Sequence, residues 1–216
     1  MADKENNIDI KNAERANSSK PTASPYARKR FNVRQLTVVG LLAAITVILG
    51  ITGFGFIRIP PINFTILHIP TLIGALVEGP RVGMIVGTIF GGYSIVQNIM
   101  APNVMSFAFL NPIVSVLPRM LIGPICYYVY RLLPLKSEVI RIVLGLFLGT
   151  MMHTIMVMGL IYIIYAEPYA QASNIPVENV LNIVLGVAIF HGPIEALGAV
   201  LVGTPIVVAL RAKLKK

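Results

Sequence analysis

The sequence has little charge, a single cysteine and no tryptophan, and these shortages narrow what the chain can be. Charged residues make up 12% of its 216 residues and apolar residues 56%, which is outside the usual mix for a soluble globular domain. The one cysteine, Cys126, has no second cysteine with which to form an internal disulfide. The composition therefore predicts an all-α membrane protein whose helices are surrounded by lipid.

Motifs for catalysis are also missing from the sequence. It contains no Walker sequence, no HExxH and no arrangement of Ser, His and Asp typical of a hydrolase. We therefore expect that the chain does not hydrolyse ATP, and we expect no cofactor or metal. If the chain takes part in active transport, the energy has to come from another protein.

Basic residues give the chain a formal net charge of +9, but their positions argue against nucleic-acid binding. They lie at the ends of apolar runs rather than in a patch with interleaved aromatic residues. Residues 1–31 are polar and hold few apolar side chains, so we expect them to form a disordered tail. Residues 32–216 are then predicted to form the membrane domain.

Apolar runs alternate with short breaks that contain proline, glycine, asparagine or charge. A helix needs roughly 20 apolar residues to cross a bilayer, and six such spans fit the sequence. The second is short and is the weakest of the six. The predicted spans are 35–56, 68–79, 81–100, 107–130, 139–165 and 180–210.

The distribution of Lys and Arg orients the six spans. Basic residues precede the first span, separate the second from the third, flank the turn between the fourth and fifth, and close the chain. The positive-inside rule makes this side cytoplasmic. Both termini are therefore predicted to be cytoplasmic, and the three longer, less regular outer loops are expected to form a lid over a site.

Ionisable side chains inside the predicted spans need a partner or a function, because they are costly in lipid. Arg119 lies near the middle of the fourth span, and His191 and Glu195 lie four residues apart in the sixth. We expect Arg119 and Glu195 to form a buried structural pair. The alternative is a metal site built from His153, His191 and Glu195.

Polar side chains that are mostly uncharged are concentrated in the predicted outer loops and the outer ends of the spans. Amides, one tyrosine and one arginine lie there beside several phenylalanines, and this mixture is typical of a small-molecule pocket. The predicted substrate-binding residues are Arg58, Asn63, Tyr93, Gln97, Asn98, Asn103 and Asn111.

Small residues form two further patterns. Gly40 and Ala44 make a small-residue face in the first span, and Gly83, Gly87 and Gly91 repeat every four residues in the third. Such faces let helices approach closely. The glycine repeat fits packing inside the protein at least as well as docking of a partner.

The stretches "LHIPTLIGALVEGPRVGMIVGTIFGG" and "FLNPIVSVLPRMLIG", together with the face of Gly40 and Ala44, resemble a known family. It comprises the substrate-binding S components of energy-coupling factor (ECF) vitamin transporters, and the resemblance covers about residues 35–210. Among its members, the two stretches look most like the pantothenate-type proteins. The resemblance implies a six-helix bundle in the bacterial cell membrane.

What the resemblance implies for function is binding rather than chemistry. An S component captures a vitamin near the outer face and joins a membrane coupling subunit, the T component, and two cytosolic ATPase subunits. The family's docking face for the coupling subunit maps onto Gly40 and Ala44, although the family usually has alanine where this chain has Gly40. Pro112 and Pro118 should bend the fourth span, so that Arg119 anchors it to Glu195 and Asn111 reaches the pocket.

The substrate is predicted from the side chains proposed to line the outer pocket. Pantothenate is a compact anion with one amide and two hydroxyls, so its site needs one cation and several neutral hydrogen-bonding groups. Arg58 with the outer amides supplies these. Riboflavin or folate would require aromatic platforms, which the outer phenylalanines and Tyr162 or Tyr165 could form, so an S component for one of these vitamins is the first alternative. A membrane metalloenzyme and a secondary transporter remain as alternatives, although no internal repeat favours the second.

Overall fold

The computed structural model describes residues 31–59, 62–102 and 105–214, and it describes residues 56–59 and 62–64 by their backbone alone. The chain from Val33 onward forms one compact unit. The predicted tail lies outside the described residues except for Phe31.

Helices dominate the described residues, which confirms the predicted all-α class apart from one small hairpin. In chain order the helices are α1 Val33–Ile51, α2 Ile69–Glu78, α3 Pro80–Met100, α4 Ser106–Phe109, α5 Pro112–Ser115, α6 Leu117–Leu132, α7 Glu138–Ser173 and α8 Val180–Leu214. A 3₁₀ turn, Val177–Asn179, precedes α8.

Five of the six predicted spans correspond to helices that are long enough to cross a membrane, and the short second span does not. Five helical segments in the described part of the chain are long and apolar enough to cross a membrane, namely Val33–Ile51, Pro80–Met100, Pro112–Leu132, Glu138–Ser173 and Val177–Leu214. The predicted second span is instead the 10-residue helix α2. It ends at Gly79, whose φ of 101° is readily available only to glycine, and Pro80 starts α3 directly afterwards.

The first predicted outer loop contains a β-hairpin that the sequence reading did not anticipate. Strand β1, Phe56–Ile59, pairs antiparallel with strand β2, Ile62–Thr65, so that Phe56 lies opposite Thr65. The first span is correspondingly shorter than predicted, because α1 ends at Ile51. The hairpin leads straight into α2, which places the end of β2 beside the helical bundle.

Prolines break the fourth span, as the sequence predicted. Pro112 occupies the first turn of α5 and Pro118 the first turn of α6, where a missing backbone N–H costs little. The side chain of Asn111 caps α5 by accepting a hydrogen bond from the backbone N–H of Ile113 at 2.9 Å. Arg119 consequently lies in the first turn of α6, beside a region of irregular backbone.

The short helix α2 lies at the centre of the bundle, and every residue from Ile69 to Leu76 is buried. Its apolar side chains pack against α6, α7 and α8 in the main core. That core comprises Ile69, Leu72, Ile73, Leu76, Ile122, Cys126, Tyr130, Ile142, Leu146, Ala199 and Val207. Large apolar side chains on the outward faces of the long helices are exposed, as expected for surfaces that meet lipid.

The glycine repeat of α3 is used for packing inside the protein. A Cβ atom on Gly83 would approach the Cα of Gly123 to 3.1 Å, and one on Gly91 would approach the Cα of Val116 to 2.7 Å. A Cβ atom on Gly87 would overlap the backbone carbonyl of Arg119. These glycines let α3 and α6 pack backbone to backbone, and they fix the position of Arg119 relative to α3.

Candidate functional site

A cavity of about 180 Å³ lies where the end of β2, the C-terminal half of α3 and the start of α6 meet. Polar and aromatic side chains from several elements surround it, as is usual for sites that bind small molecules. Its lining residues are Thr65, Leu67, Phe90, Ser94, Gln97, Asn98, Ala101, Phe109, Arg119 and His153.

Arg119 is the only cationic side chain other than histidine among the described residues that line this cavity, and it is buried. Its Nη1 donates a hydrogen bond of 2.8 Å to the carbonyl oxygen of Val114, one of the carbonyls at the break between α5 and α6. The guanidinium carbon lies 5.1 Å from the ring centre of Phe109 and 5.7 Å from that of Phe90. Both distances suit a cation–π contact.

The guanidinium is incompletely satisfied by the protein. Its Nε is buried and has no hydrogen-bond partner in the structure. An unpaired donor of a buried charged group is costly, and Arg119 lines the cavity, so the site favours a ligand that accepts a hydrogen bond from its guanidinium. A carboxylate provides that acceptor together with the missing negative charge.

The predicted direct pair between Arg119 and Glu195 is not present in the structure. Glu195 Oε1 accepts hydrogen bonds from the backbone N–H of Thr65 at 2.9 Å and from its hydroxyl at 3.2 Å. The same oxygen lies 3.7 Å from His191 Nδ1. Glu195 attracts Arg119 electrostatically without touching it, and its contacts hold the end of β2 against α8.

Two histidines lie beside Arg119. The ring of His153, on α7, stacks on that of His68 with the ring centres 6.2 Å apart and the planes 15° from parallel. His153 lines the cavity, and neither of its ring nitrogens has a hydrogen-bond partner. It therefore adds hydrogen-bonding capacity next to the guanidinium, and the sequence had suggested it only as a ligand of the alternative metal site.

That metal site does not assemble. In the described ranges, no group of three His, Cys, Asp or Glu side chains lies close enough together to hold a metal ion. His153 stacks on His68, whereas His191 and Glu195 face the end of the hairpin. The two halves of the proposed ligand set are thus engaged in different contacts.

Two of the predicted amides line the cavity. Gln97 and Asn98 both lie on the α3 face that borders it. Asn98 donates to the carbonyl oxygen of Ser94 and accepts from the hydroxyl of Ser106, each at 2.8 Å, so that it also ties α4 to α3. Gln97 is half-buried.

Two other predicted residues do not line this cavity and have packing roles. The amide of Asn111 donates to the hydroxyl of Tyr165 at 3.0 Å, which links the cap of α5 to the point where α7 is kinked. The ring of Tyr93 fills the space next to Gly50 of α1. Asn111 and Tyr93 thus fasten helices around the site.

The remaining predicted residues fall into two groups. The side chains of Arg58 and Asn63 and the whole of Asn103 lie outside the described residues. Gly40 and Ala44 lie on an exposed face of α1, and a Cβ atom on Gly40 would meet nothing within 4 Å. That face is uncovered within the described part of the chain.

Several lining residues were missed by the sequence analysis, including Thr65, Phe90 and Ser94. Phe90 and Ser94 share a helical face with Gln97 and Ala101, since residues three, four and seven positions apart align on a helix. Extending the pattern of Gln97 backwards by one and two turns would have found both. Thr65 had no comparable signal, because its position depends on the hairpin.

The sequence of the chain matches one family model and is similar to one characterised transporter. The family model described as "ECF transporter, substrate-specific component" matches residues 34–207. The pantothenic acid transporter PanT of Lactococcus lactis subsp. cremoris (strain MG1363) is 25% identical over 199 residues, which cover 84% of this chain and 96% of that protein.

Proposed function

The chain belongs to the substrate-specific components of ECF transporters, and we propose that its substrate is pantothenate, bound in the cavity at Arg119. A substrate-specific component of a transporter is a binding protein of the membrane and does not belong to an enzyme family. The single observation that carries the proposal is the buried Arg119 with an unpartnered Nε at the cavity wall.

The chemistry of the cavity fits a compact anion. Arg119 supplies the positive charge for a carboxylate, and Gln97, Asn98 and His153 supply neutral groups for hydroxyls and an amide. Phe90 and Phe109 provide apolar walls. We assign the cationic role to Arg119, whereas the sequence had given it to Arg58.

The size of the cavity also favours a small vitamin. Pockets for drug-sized ligands usually measure about 300–1,000 Å³, and this one measures about 180 Å³. Riboflavin and folate carry extended ring systems that need larger aromatic platforms. The similarity to a pantothenic acid transporter supports the same choice.

The transport cycle requires partners, as the family description implies. We propose that the chain delivers its substrate through a membrane coupling subunit, the T component, driven by two cytosolic ATPase subunits. The exposed face of Gly40 and Ala44 on α1 is the proposed docking surface for the coupling subunit. The proposed setting is the bacterial cell membrane, with α2 as an incomplete sixth span, both termini in the cytoplasm and the cavity toward the outside.

Titration calorimetry of the purified protein with pantothenate, riboflavin, folate, biotin and thiamine tests the proposal. We expect tight binding of pantothenate alone, and Arg119→Gln should weaken it by about 1.5–3 kcal/mol, the value of a hydrogen bond to a charged group. This corresponds to roughly 10- to 150-fold in Kd. Arg131→Gln is the matched control, because Arg131 is exposed at the opposite end of α6.

A neutral analogue separates a ligand contact from a folding defect. Pantothenol has a hydroxymethyl group in place of the carboxylate, so it should bind the wild-type protein weakly and the Arg119→Gln variant equally weakly. Equal loss of affinity for both compounds in the variant would mean that Arg119 only supports the fold. Tight binding of another vitamin would remove pantothenate as the substrate.

A further inference from the structure

A second polar cluster lies at the end of the bundle opposite the cavity, where α6 ends, α7 begins and α8 ends. Arg119 and Tyr130 occupy opposite ends of α6, and Tyr130 is at the centre of this cluster. The guanidinium carbon of Arg211 lies 4.6 Å from the ring centre of Tyr130, and that of Arg141 lies 5.0 Å from it. Two guanidiniums are thus held against one aromatic ring.

One carboxylate contacts the guanidinium of Arg211 and the hydroxyl of Tyr130. Glu138 Oε1 lies 3.4 Å from Arg211 Nε and 3.5 Å from the hydroxyl of Tyr130. Arg211 Nη1 and Arg141 Nε are both shielded from solvent and have no hydrogen-bond partner. The cluster therefore has an excess of positive charge and unused donors, and both features favour an anion.

A cavity of about 160 Å³ opens beside Arg211. Its other lining residues are Glu138 and the apolar residues Val139, Ile142, Val208 and Ala212, whereas Arg141 lies against Tyr130 and does not line the cavity. Helix α7 begins at Glu138, so the positive end of its dipole faces the same space. The pocket thus combines a cationic end with an apolar wall.

We propose that this pocket binds an anionic phospholipid, with the phosphate at Arg211 and Arg141 and an acyl chain along the apolar wall. The guanidinium of Arg211, which lines the pocket, donates to the phosphate, and the guanidinium of Arg141 attracts it from beside the same Tyr130 ring. The acyl chain covers Val139 and Val208, which are exposed. Basic pockets between helices at the cytoplasmic surface recognise such headgroups. A free phosphate ion would leave its remaining oxygens against the four apolar residues, which offer them no side-chain donor.

Native mass spectrometry of the full chain with phosphatidylglycerol tests this proposal. The wild-type protein should retain one phosphatidylglycerol molecule in preference to phosphatidylcholine. Arg211→Gln should reduce that retention by about tenfold, as expected for loss of a charge-assisted hydrogen bond. Arg141→Gln should reduce it by about fivefold, because the phosphate loses a neighbouring positive charge. Arg141→Gln leaves the contact between Arg211 and Glu138 in place, so it remains informative if Arg211→Gln fails to fold.

Lys213→Gln is the matched control. It removes the same charge from the same end of α8, but Lys213 is exposed, whereas the guanidiniums of Arg211 and Arg141 lie against Tyr130. Retention by this variant should stay within about twofold of wild type, because exposed charges contribute little. A tenfold loss in Lys213→Gln as well would show diffuse attraction of lipid and overturn the proposal.

Inorganic phosphate distinguishes the two sources of the anion. At equal concentration it should not displace phosphatidylglycerol or raise the thermal stability of the detergent-solubilised protein. Stabilisation by inorganic phosphate that disappears in Arg211→Gln, without retention of the lipid, would assign the pocket to a free ion and refute the lipid. Equal retention of both lipids by wild type and both arginine variants would also refute it.

Discussion

On one side of the cavity α3 and α6 pack backbone to backbone, whereas on the other side the hairpin meets α8 through one carboxylate. A Cβ atom on Gly87 would collide with the backbone of Arg119 in α6, and one on Gly83 would collide with Ala75 and lie 3.1 Å from the Cα of Gly123. The packing of α3 against α6 therefore leaves no room for a larger residue at either position. Thr65 and Glu195 contact each other through two hydrogen bonds to a single oxygen. A wall made by close packing cannot separate gradually, but a wall held by hydrogen bonds can open and close.

This contrast assigns different tasks to the two sides. The rigid wall positions Arg119, since its carbonyl lies against Gly87 and its guanidinium bonds to the broken backbone at Val114. The second wall, which the hydrogen bonds between Thr65 and Glu195 hold closed, contains the end of the hairpin. It borders the cavity through Thr65. We expect mutations in the first wall to destroy the site and mutations in the second to change how fast it exchanges its ligand.

Gly87→Ala should have the largest effect. The added methyl group overlaps the backbone of Arg119, so α3 and α6 must separate, at a cost of about 1–3 kcal/mol for an overpacked core. The thermal midpoint in detergent should fall, and pantothenate binding should be lost because Arg119 moves. Gly40→Ala is the control, since its methyl group enters open space and should change stability by less than about 0.5 kcal/mol. Equal behaviour of the two variants would refute the rigid wall.

Glu195→Gln should have an intermediate effect that is mainly kinetic. Glutamine retains an acceptor for Thr65 but loses the charge, and hydrogen bonds to charged groups exceed neutral ones by about 1 kcal/mol. Dissociation of pantothenate, followed by stopped-flow displacement, should become roughly fivefold faster while the thermal midpoint changes little. Glu178→Gln, an exposed site before α8, should leave the rate unchanged. A large loss of stability in Glu195→Gln would mean that the carboxylate supports the fold rather than the opening wall.

The amides should show the smallest effects and should divide into two kinds. Gln97→Ala removes a cavity group and should raise the Kd for pantothenate by about two- to tenfold, the value of one neutral hydrogen bond.

Asn111→Ala removes the cap of α5, so it should lower the thermal midpoint by the equivalent of about 1 kcal/mol and leave the Kd nearly unchanged. The opposite result, with Asn111 controlling affinity, would restore the role that the sequence suggested for it.

Much of the architecture was predictable because a helix that crosses lipid needs a long run of apolar residues, and such runs are visible in the sequence. Long apolar runs became long helices, and the prolines at 112 and 118 placed the break in the fourth span where it is found. The family resemblance pointed to the family whose model matches the chain. The second span, the short stretch predicted at residues 68–79, is the 10-residue helix α2, since a central helix surrounded by protein does not need to match the bilayer.

The site was less predictable than the fold, and Arg119 shows why. Two lone charges in apolar spans, Arg119 and Glu195, suggest a pair when only side chains are considered. The structure provides other partners, namely the carbonyl oxygen of Val114 and the backbone N–H of Thr65. Backbone groups become available only where helices break or a hairpin ends, and those positions depend on tertiary structure.

The short helix α2 also has a consequence for how the protein is made. At about 1.5 Å per residue it reaches roughly 15 Å, half of a bilayer core, so it cannot be inserted as an independent segment. Only Gly79 separates it from α3, and the two must therefore enter the membrane together as a helical hairpin. The core around α2 includes residues of α6, α7 and α8, which are synthesised later. The centre of the molecule is thus among the first parts translated and is completed only when the last helix arrives.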